Sequence, residues 1–393
     1  MRLLIDDLVG PPARPPTLLS PPQPHLLRPY AVHSLPSSSL ALAIHPAYDL
    51  SNPASTLFLT SIRDLPIRLL NPFAPEKIAT YPLITPTTER FVAPHSLVFD
   101  PWDSGTFIAG TSSQIAIFDL TRDGEEPVLR LPTARGRIRA GSRVDAGGTG
   151  LKGIISALAI DPTSHLLAAG TFTRKVALYD ARGQGAEVAT FSLNGPGSRA
   201  RQNGQGEYKI GSGTGVTQLH FLSSPLHSSP TPSSPSPSPP SCASPSPYLL
   251  LTERESTGLS LYDIRHTGRR LSWLACRPAL TKQRLAVDVA SNPSTTAPEV
   301  YAGGTDGYVR VWERLGAAEG LVMPSRSMRV ATAYTGASAR QRDCVVGAVG
   351  VHPLGARVMV TGSGSRKECE DRRDDGGDDS RDGENGGLKV WAL

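Results

Sequence analysis

The sequence predicts an all-β protein assembled from repeated four-stranded units. Three observations carry that expectation. A two-run module recurs along the chain, the runs alternate in hydrophobicity with the period of a strand, and turn-forming residues separate them. Glycine (38 of 393 residues) and proline (36) supply the turns, and hydrophobic residues fall to 39%.

The module is clearest in LLAAGTFTRKVALYDARGQ (166–184), FIAGTSSQIAIFDLTRDG (107–124), YLLLTERESTGLSLYDIRHTG (248–268) and VYAGGTDGYVRVWERLG (300–316). LFLTSIRDLPIRLLNPF (57–73) is a weaker copy. RVMVTGSGSR (357–366), resumed after an insertion by LKVWAL (388–393), is another. Four copies end in an aromatic followed by an acid: Phe118-Asp119, Tyr179-Asp180, Tyr262-Asp263 and Trp312-Glu313. Upstream of the copies stand six further apolar runs: SLALAIHP, HSLVFDP, ISALAIDP, VTQLHFLS, RLAVDVAS and VGAVGVHP. Downstream of four stand KIATYPLI, PVLRLPT, EVATFSL and RLSWLA. Each unit is therefore three strands plus a fourth. Its anchors lie 48, 61, 83, 50 and 79 residues apart, which approaches 40 to 50 once the obvious insertions are set aside. That period and strand count belong to the blades of a WD40-type β-propeller.

Six first strands predict six blades. MRLLIDDL reads as the third strand of an earlier blade whose beginning is absent, so a seventh blade, cut short at the N-terminus, is the preferred reading. A closed six-blade ring with HLLRPYAVH supplying the last outer strand is the alternative. Residues 1–39 form the partial leading blade or irregular segment, and residues 40–393 form the propeller. Two insertions within it, at 223–247 and 366–387, are expected to be disordered. The first is too rich in Ser and Pro to bury a core, and the second mixes acids, Arg and Gly. In GGTDGYVRVWE, Asp306 takes the place of the turn Asp of the usual WD40 hydrogen-bond network and Trp312 its aromatic position. Gly304 replaces the usual Ser and no His stands upstream, so blade stability is expected to rest on packed strands.

Net charge is +5, mildly basic and compatible with a polyanionic partner. Four scattered cysteines without a C-x-x-C pair argue against a disulfide framework or zinc site and fit a reducing compartment. No apolar run reaches membrane-helix length. Asp6 and Asp7 interrupt the stretch a signal peptide would need. No G-x-S-x-G, H-E-x-x-H or G-x-x-x-x-G-K-[ST] occurs, and the acidic insertion lacks EF-hand spacing. The expectation is a binding protein, not an enzyme, with no catalytic residue, metal or cofactor.

Several segments, in this order, resemble the telomerase Cajal body protein family in its fungal form: TSIRDLPIRLLNPF, APHSLVFDP, GIISALAIDP, AAGTFTRKVALYD, GVTQLHF and RDCVVGAVGVHP. The family's Ser-x-Arg-x-x-Pro-Ile segment is matched by Ser61, Arg63, Pro66 and Ile67. Its Ala-His-Ser-Leu start is matched with Pro94 inserted before His95, and its Gly-Ile-Ile-Ser run by residues 153–156. An acidic, Gly-rich insertion interrupts the last blade, as at 366–387. The resemblance covers roughly residues 40–393 and departs at the N-terminus, where the family's leading segment and first blade are missing or cut short. It implies a nuclear, non-catalytic WD40 scaffold. Such a scaffold binds small Cajal body-type nuclear RNA or telomerase RNA together with the core proteins of those particles, aids their assembly or localisation, and in fungi extends towards splicing. It implies no small-molecule substrate and a monomer within a larger complex. The alternative is a protein-only adaptor in splicing, chromatin or ubiquitin-ligase complexes.

The candidate RNA contacts are cationic. TARGRIRAGSRV carries Arg135, Arg137, Arg139 and Arg143, with Lys152 beyond, and GSRARQNGQGEYK adds Arg199, Arg201 and Lys209. Both segments link one blade to the next, and such links share an end of a propeller with the turns between second and third strands. Guanidinium groups suit phosphate and stack on unpaired bases. The simpler reading is solvated Arg/Gly loops, and the resemblance favours RNA. Arg63 and Arg174 sit in second-to-third-strand turns, where a cationic rim and ordinary polar turns are both open. His95 is assigned a structural place at the start of its blade, and His45 and His352, each before Pro, are turn residues.

Overall fold

A computed structural model describes residues 2–3, 25–26, 31–32, 34–74, 76–85, 87–134, 150–181, 185–193, 199–202, 205–209, 213–222, 247–291, 297–313, 315–316, 319–330, 344–351, 358–365 and 386–392. The chain forms a six-bladed β-propeller. Blade 1 is Ser39–Ile44, Phe58–Ile62, Ile67–Leu70 and Lys77–Tyr81. Blade 2 is Ser96–Phe99, Thr106–Gly110, Gln114–Asp119 and Leu129–Pro132. Blade 3 is Ile155–Ile160, Leu166–Thr171, Lys175–Asp180 and Ala186–Ser192. Blade 4 is Val216–Leu222, Tyr248–Glu253, Leu259–Asp263 and Arg270–Leu274, and blade 5 is Val287–Ser291, Pro298–Gly303, Tyr308–Trp312 and Arg326–Arg329. Blade 6 has Cys344–Val351, Val358–Ser365 and Gly386–Ala392. Its outer strand is His25–Leu26, with His25 opposite Val390 and Leu26 opposite Lys389. Of the two readings of the N-terminus, the structure therefore has the six-blade arrangement. In place of the preferred leading blade, Arg2–Leu3 pairs with Ala31–Val32 in a separate two-stranded ribbon.

Apolar clusters lie between consecutive blades, because each sheet buries both faces. Leu59, Tyr81, Phe107 and Phe118 fill the space between blades 1 and 2. Ile108, Ile155 and Tyr179 join blades 2 and 3, and Val176, Val216, Leu249 and Tyr262 join blades 3 and 4. Leu250, Val300 and Trp312 join blades 4 and 5, while Val309, Val346 and Met359 join blades 5 and 6. The recurring glycine of the module follows from this stacking. Gly110 and Gly303 end the second strands of blades 2 and 5, and Gly170 stands one residue before the end of that of blade 3. A Cβ at each would lie 2.7 Å from Ile155, Val216 or Val346, the β-branched residue near the start of the next blade's first strand. Nothing larger than hydrogen fits at that separation. Buried serines add a polar latch at two of these joints: Ser96 Oγ donates to the Ile155 carbonyl at 2.9 Å, and Ser156 Oγ to that of Val216 at 2.5 Å.

The recurring acids close turns. Asp119 Oδ1 accepts from the N–H and hydroxyl of Thr121, and Asp263 accepts from the N–H and guanidinium of Arg265. Asp100 caps the N–H of Trp102 and Asp161 that of Ser164, while His45 Nδ1 accepts from Ala47, so it is a turn residue as expected. Short polar side chains of this kind stabilise turns by satisfying backbone donors. In blade 5, Asp306 holds the guanidinium of Arg310 and the N–H of Tyr308. Trp312 is fully buried, and its indole N–H finds no partner among the described residues. A Cβ at Gly304 would meet Asp306 Oδ1 at 2.5 Å, so the usual network is replaced by an ion pair and apolar packing.

Three elements were not foreseen. Gly320–Val322 leaves blade 5 and adds to blade 4 as a fifth strand, parallel to Arg270–Leu274. Arg326–Arg329 is the outer strand of blade 5. Arg199–Gln202 and Gln205–Lys209 form a hairpin within the link from blade 3 to blade 4. The expected disordered insertions lie outside the described residues for 223–246 and 366–385. No helix of the described residues is long and apolar enough to cross a membrane.

Candidate nucleic-acid interface

The antiparallel order of each blade sorts its loops to two ends of the ring. Turns between second and third strands and the links between blades share one end. Turns between first and second and between third and fourth strands share the other. The two ends differ in charge. In blades 1 and 2, the loops 45–57, 71–76, 100–105 and 120–128 at the second end carry seven carboxylates and one guanidinium, Arg122, which Glu125 already holds. In blades 1 to 3 the linker end carries Arg63, Arg90, Lys152 and Arg174, with Asp64 and Glu89 between them. Further round the ring the same end takes Glu253, Arg254 and Glu255 of the blade 4 turn and, between the second and third strands of blade 6, the acidic insertion, which lies outside the described residues.

Arg63 is exposed in the turn of blade 1, beside Asp64 in a left-handed conformation at φ 58°. His95 opens blade 2, half-buried, its backbone N–H on the Gly110 carbonyl. Burial holds its imidazole below the ordinary histidine value, and the positive charge of Arg63 lowers it further. Lys152 is exposed, and its carbonyl accepts the Thr173 hydroxyl, which ties the link to the blade 3 turn. Arg135, Arg137, Arg139 and Arg143 lie outside the described residues, between the anchored ends Pro132 and Gly150 of that link. His352 also lies outside them. Arg199 and Arg201 stand on the hairpin of the next link, opposite Lys209 and Glu207. That hairpin runs beside Gly320–Val322 at the outer edge of blade 4, so its backbone is at the rim.

Arg174 differs from the other cations. It occupies the left-handed turn position of blade 3 at φ 62° and donates Nε to Glu253 Oε1 of blade 4 at 2.6 Å. Glu253 is only 4% exposed, so the pair is a clamp between neighbouring blades. Two cations escaped the sequence reading. Arg254 lies 4.3 Å from the Phe172 ring centroid and bonds Thr214, and Arg90 is exposed on the link between blades 1 and 2. The proximity of Arg254 and Phe172, which belong to neighbouring blades, is set by blade stacking, and no local spacing signals it. Arg277 is cationic but interior. Its guanidinium donates to the carbonyls of Gly303 and Leu285, and burial brings its pKa down to about 10.

No group of three or more His, Cys, Asp or Glu among the described residues is placed to hold a metal. A cavity of about 340 Å³ beside blade 6 is lined by Gln283, Val345, Ala348, Ser363 and three glycines, and none of those side chains is an acid or base.

No family model matches the chain. The fission yeast Schizosaccharomyces pombe protein named Guanine nucleotide-binding protein negative regulator 1 is 28% identical over 264 residues, 67% of this chain and 53% of its own. Telomerase Cajal body protein 1 of Mus musculus is 26% identical over 317 residues, 80% of this chain and 46% of its own. The Homo sapiens protein of that name is 25% identical over the same share of this chain and 45% of its own. The chain spans about half the length of the curated relatives it matches. Among solved structures, U3-55K superposes with a TM-score of 0.52 at 13% identity, over 84% of this chain and 76% of that one. The WD40 repeats of RRP9 superpose with a TM-score of 0.51 at 14% identity, over 88% and 78%. These likenesses show a WD40 propeller fold, and the resemblance read from the sequence is borne out: the chain has homologues among the telomerase Cajal body proteins across four fifths of its length.

Proposed function

We propose that the protein is a nuclear, non-catalytic scaffold whose linker end binds a small nuclear non-coding RNA, of the Cajal body or telomerase class, together with the proteins of that particle. The observation that supports this reading is the grouping of cations at the linker end of blades 1 to 3: Arg63, Arg90 and Lys152 have no ion-pair partner among the described residues, and the link bearing Arg135, Arg137, Arg139 and Arg143 starts and ends there. The homologues named for telomerase and the Cajal body supply the class of RNA. Phosphate contacts by Arg and Lys position an RNA, and guanidinium planes stack on its splayed bases. Arg174 serves this surface as support, since it is engaged by Glu253.

The test is crosslinking in cells followed by sequencing of the co-purified RNA. Enrichment of small nuclear RNAs, lost when Arg135, Arg137 and Arg139 become Glu, is the expected result. Absence of any enriched RNA would leave the protein-only adaptor as the reading.

A further inference from the structure

The end of the ring opposite the cations is not a bland surface. Four large apolar side chains of blades 1 and 2 open to solvent there: Ile44 56%, Leu50 48%, Trp102 58% and Val128 56% exposed. They belong to turns that touch one another. His45, next to Ile44, lies edge-on to Phe99 at 5.1 Å and approaches the Ser104 carbonyl at 3.1 Å, so the first turn of blade 1 rests on that of blade 2. Trp102 in turn stacks at 4.7 Å and 26° on His165 of blade 3. The Asp123 carboxylate accepts the Thr80 N–H, joining the outer turn of blade 2 to blade 1. The indole is therefore held with one face on an imidazole and the rest in water, a costly placement for the largest apolar side chain unless something covers it.

The charge around this patch says what covers it. Asp49, Asp100, Asp103 and Asp123 lie in the same loops as Leu50, Trp102 and Val128, and each accepts hydrogen bonds only from backbone N–H and hydroxyl groups. None of the four has a cationic partner among the described residues. Hydrogen bonds from Ser51 hold the Asp49 carboxyl below its ordinary range, so it stays charged. Such a surface repels RNA phosphate and attracts Arg and Lys, while the exposed indole offers a face for cation–π contact. We propose that this end of the propeller docks a basic polypeptide segment, rich in Arg and Lys with interspersed apolar side chains, on Trp102 and the aspartates of these loops. In blades 1 to 3 the two ends then divide the work by charge: polyanion on one, polycation on the other. This docking stands independently of the RNA reading.

The test uses the full chain and a fluorescein-labelled peptide of Arg-Gly-Phe repeats, 18 residues long by design, with a Glu-Gly-Phe peptide and a small RNA hairpin as comparators. Asp49, Asp100, Asp103 and Asp123 are changed together to Asn, which keeps the Oδ1 acceptors of the turns and removes the charge, at the cost of the Thr106 hydroxyl bond to Asp103 Oδ2. Each exposed charge pair is worth roughly 1.4- to 5-fold, so the fourfold variant should bind the Arg peptide about fourfold or more weakly. Trp102→Ala should weaken it about threefold or more. In a Trp391→Phe background, peptide binding should also shield Trp102 from iodide quenching, since Trp391 is half-buried and Trp273 and Trp312 are buried. Arg63→Glu should leave peptide binding unchanged, which separates this end from the other. Equal binding by wild type and the fourfold Asn variant, no quenching protection, or preference for the hairpin over the Arg peptide at this end would each overturn the proposal.

Discussion

Gly303 shows how one atom sets the spacing of two blades. Its absent Cβ would lie 2.5 Å from the Val346 carbonyl oxygen and 2.7 Å from the Val346 side chain, both on a buried strand that cannot retreat. Gly303→Ala should lower stability by about 1–3 kcal/mol, and thermal unfolding should show it as a lower Tm. Gly268→Ala, where nothing lies within 4 Å, should leave Tm nearly unchanged and serves as the control. His220 makes a second prediction at this scale. Burial against blade 5 and the nearby charge of Arg284 hold its imidazole below the ordinary 6.5, although Asp288 and the Val287 carbonyl oppose the shift. The unfolded chain therefore takes up the proton first as pH falls. Stability from this site is full above about 6.5 and declines below it until the folded pKa is passed. Chemical denaturation between pH 7.5 and 5 should show a decline that His220→Gln reduces. The Ala-Gly of three modules was visible in the sequence, but its cause was not, because the residue it must admit belongs to the next blade.

At the scale of elements, the Arg174–Glu253 clamp joins a turn to a neighbouring blade. Removing Arg174 leaves a buried carboxylate unpaired, and Arg174→Met should cost about 3 kcal/mol. Arg174→Met with Glu253→Gln should recover part of that loss in a double-mutant cycle followed by denaturant melts. A residue poised only for RNA would show no such coupling. Most strands were legible from alternation: ISALAI, LLAAGT and KVALYD become strands of blade 3 with the predicted order. The misses share a physical reason. RSMR at 326–329 is an outer strand, paired on one edge only, so it needs no alternating apolar face, and for the same reason HLLRPYAVH, which supplies His25–Leu26, could be offered only as the alternative outer strand of blade 6. Gly320–Val322 pairs in parallel with a strand of another blade, a long-range choice that no local pattern announces.

At the scale of the whole molecule, function rests on which loops share an end of the ring. The sequence supplied the cations, and the topology separated Arg63, Arg90 and Lys152 from the carboxylates of loops 45–57 and 100–105. Arg174 also lay at the right end, but its partner Glu253 stands 79 residues away, so its engagement could be seen only in three dimensions. The central claim is that RNA binds at the cationic end, and the most direct measurement is affinity of the purified protein for a small nuclear RNA hairpin across a salt series. The account predicts a logarithmic salt slope of several units, because each neutralised phosphate contributes about 0.7–0.9. Changing Arg63, Arg90 and Lys152 to Glu should flatten that slope and weaken binding at least tenfold, while Asn at Asp49, Asp100 and Asp103 should leave both unchanged. Affinity indifferent to salt and to the three Glu substitutions would contradict it.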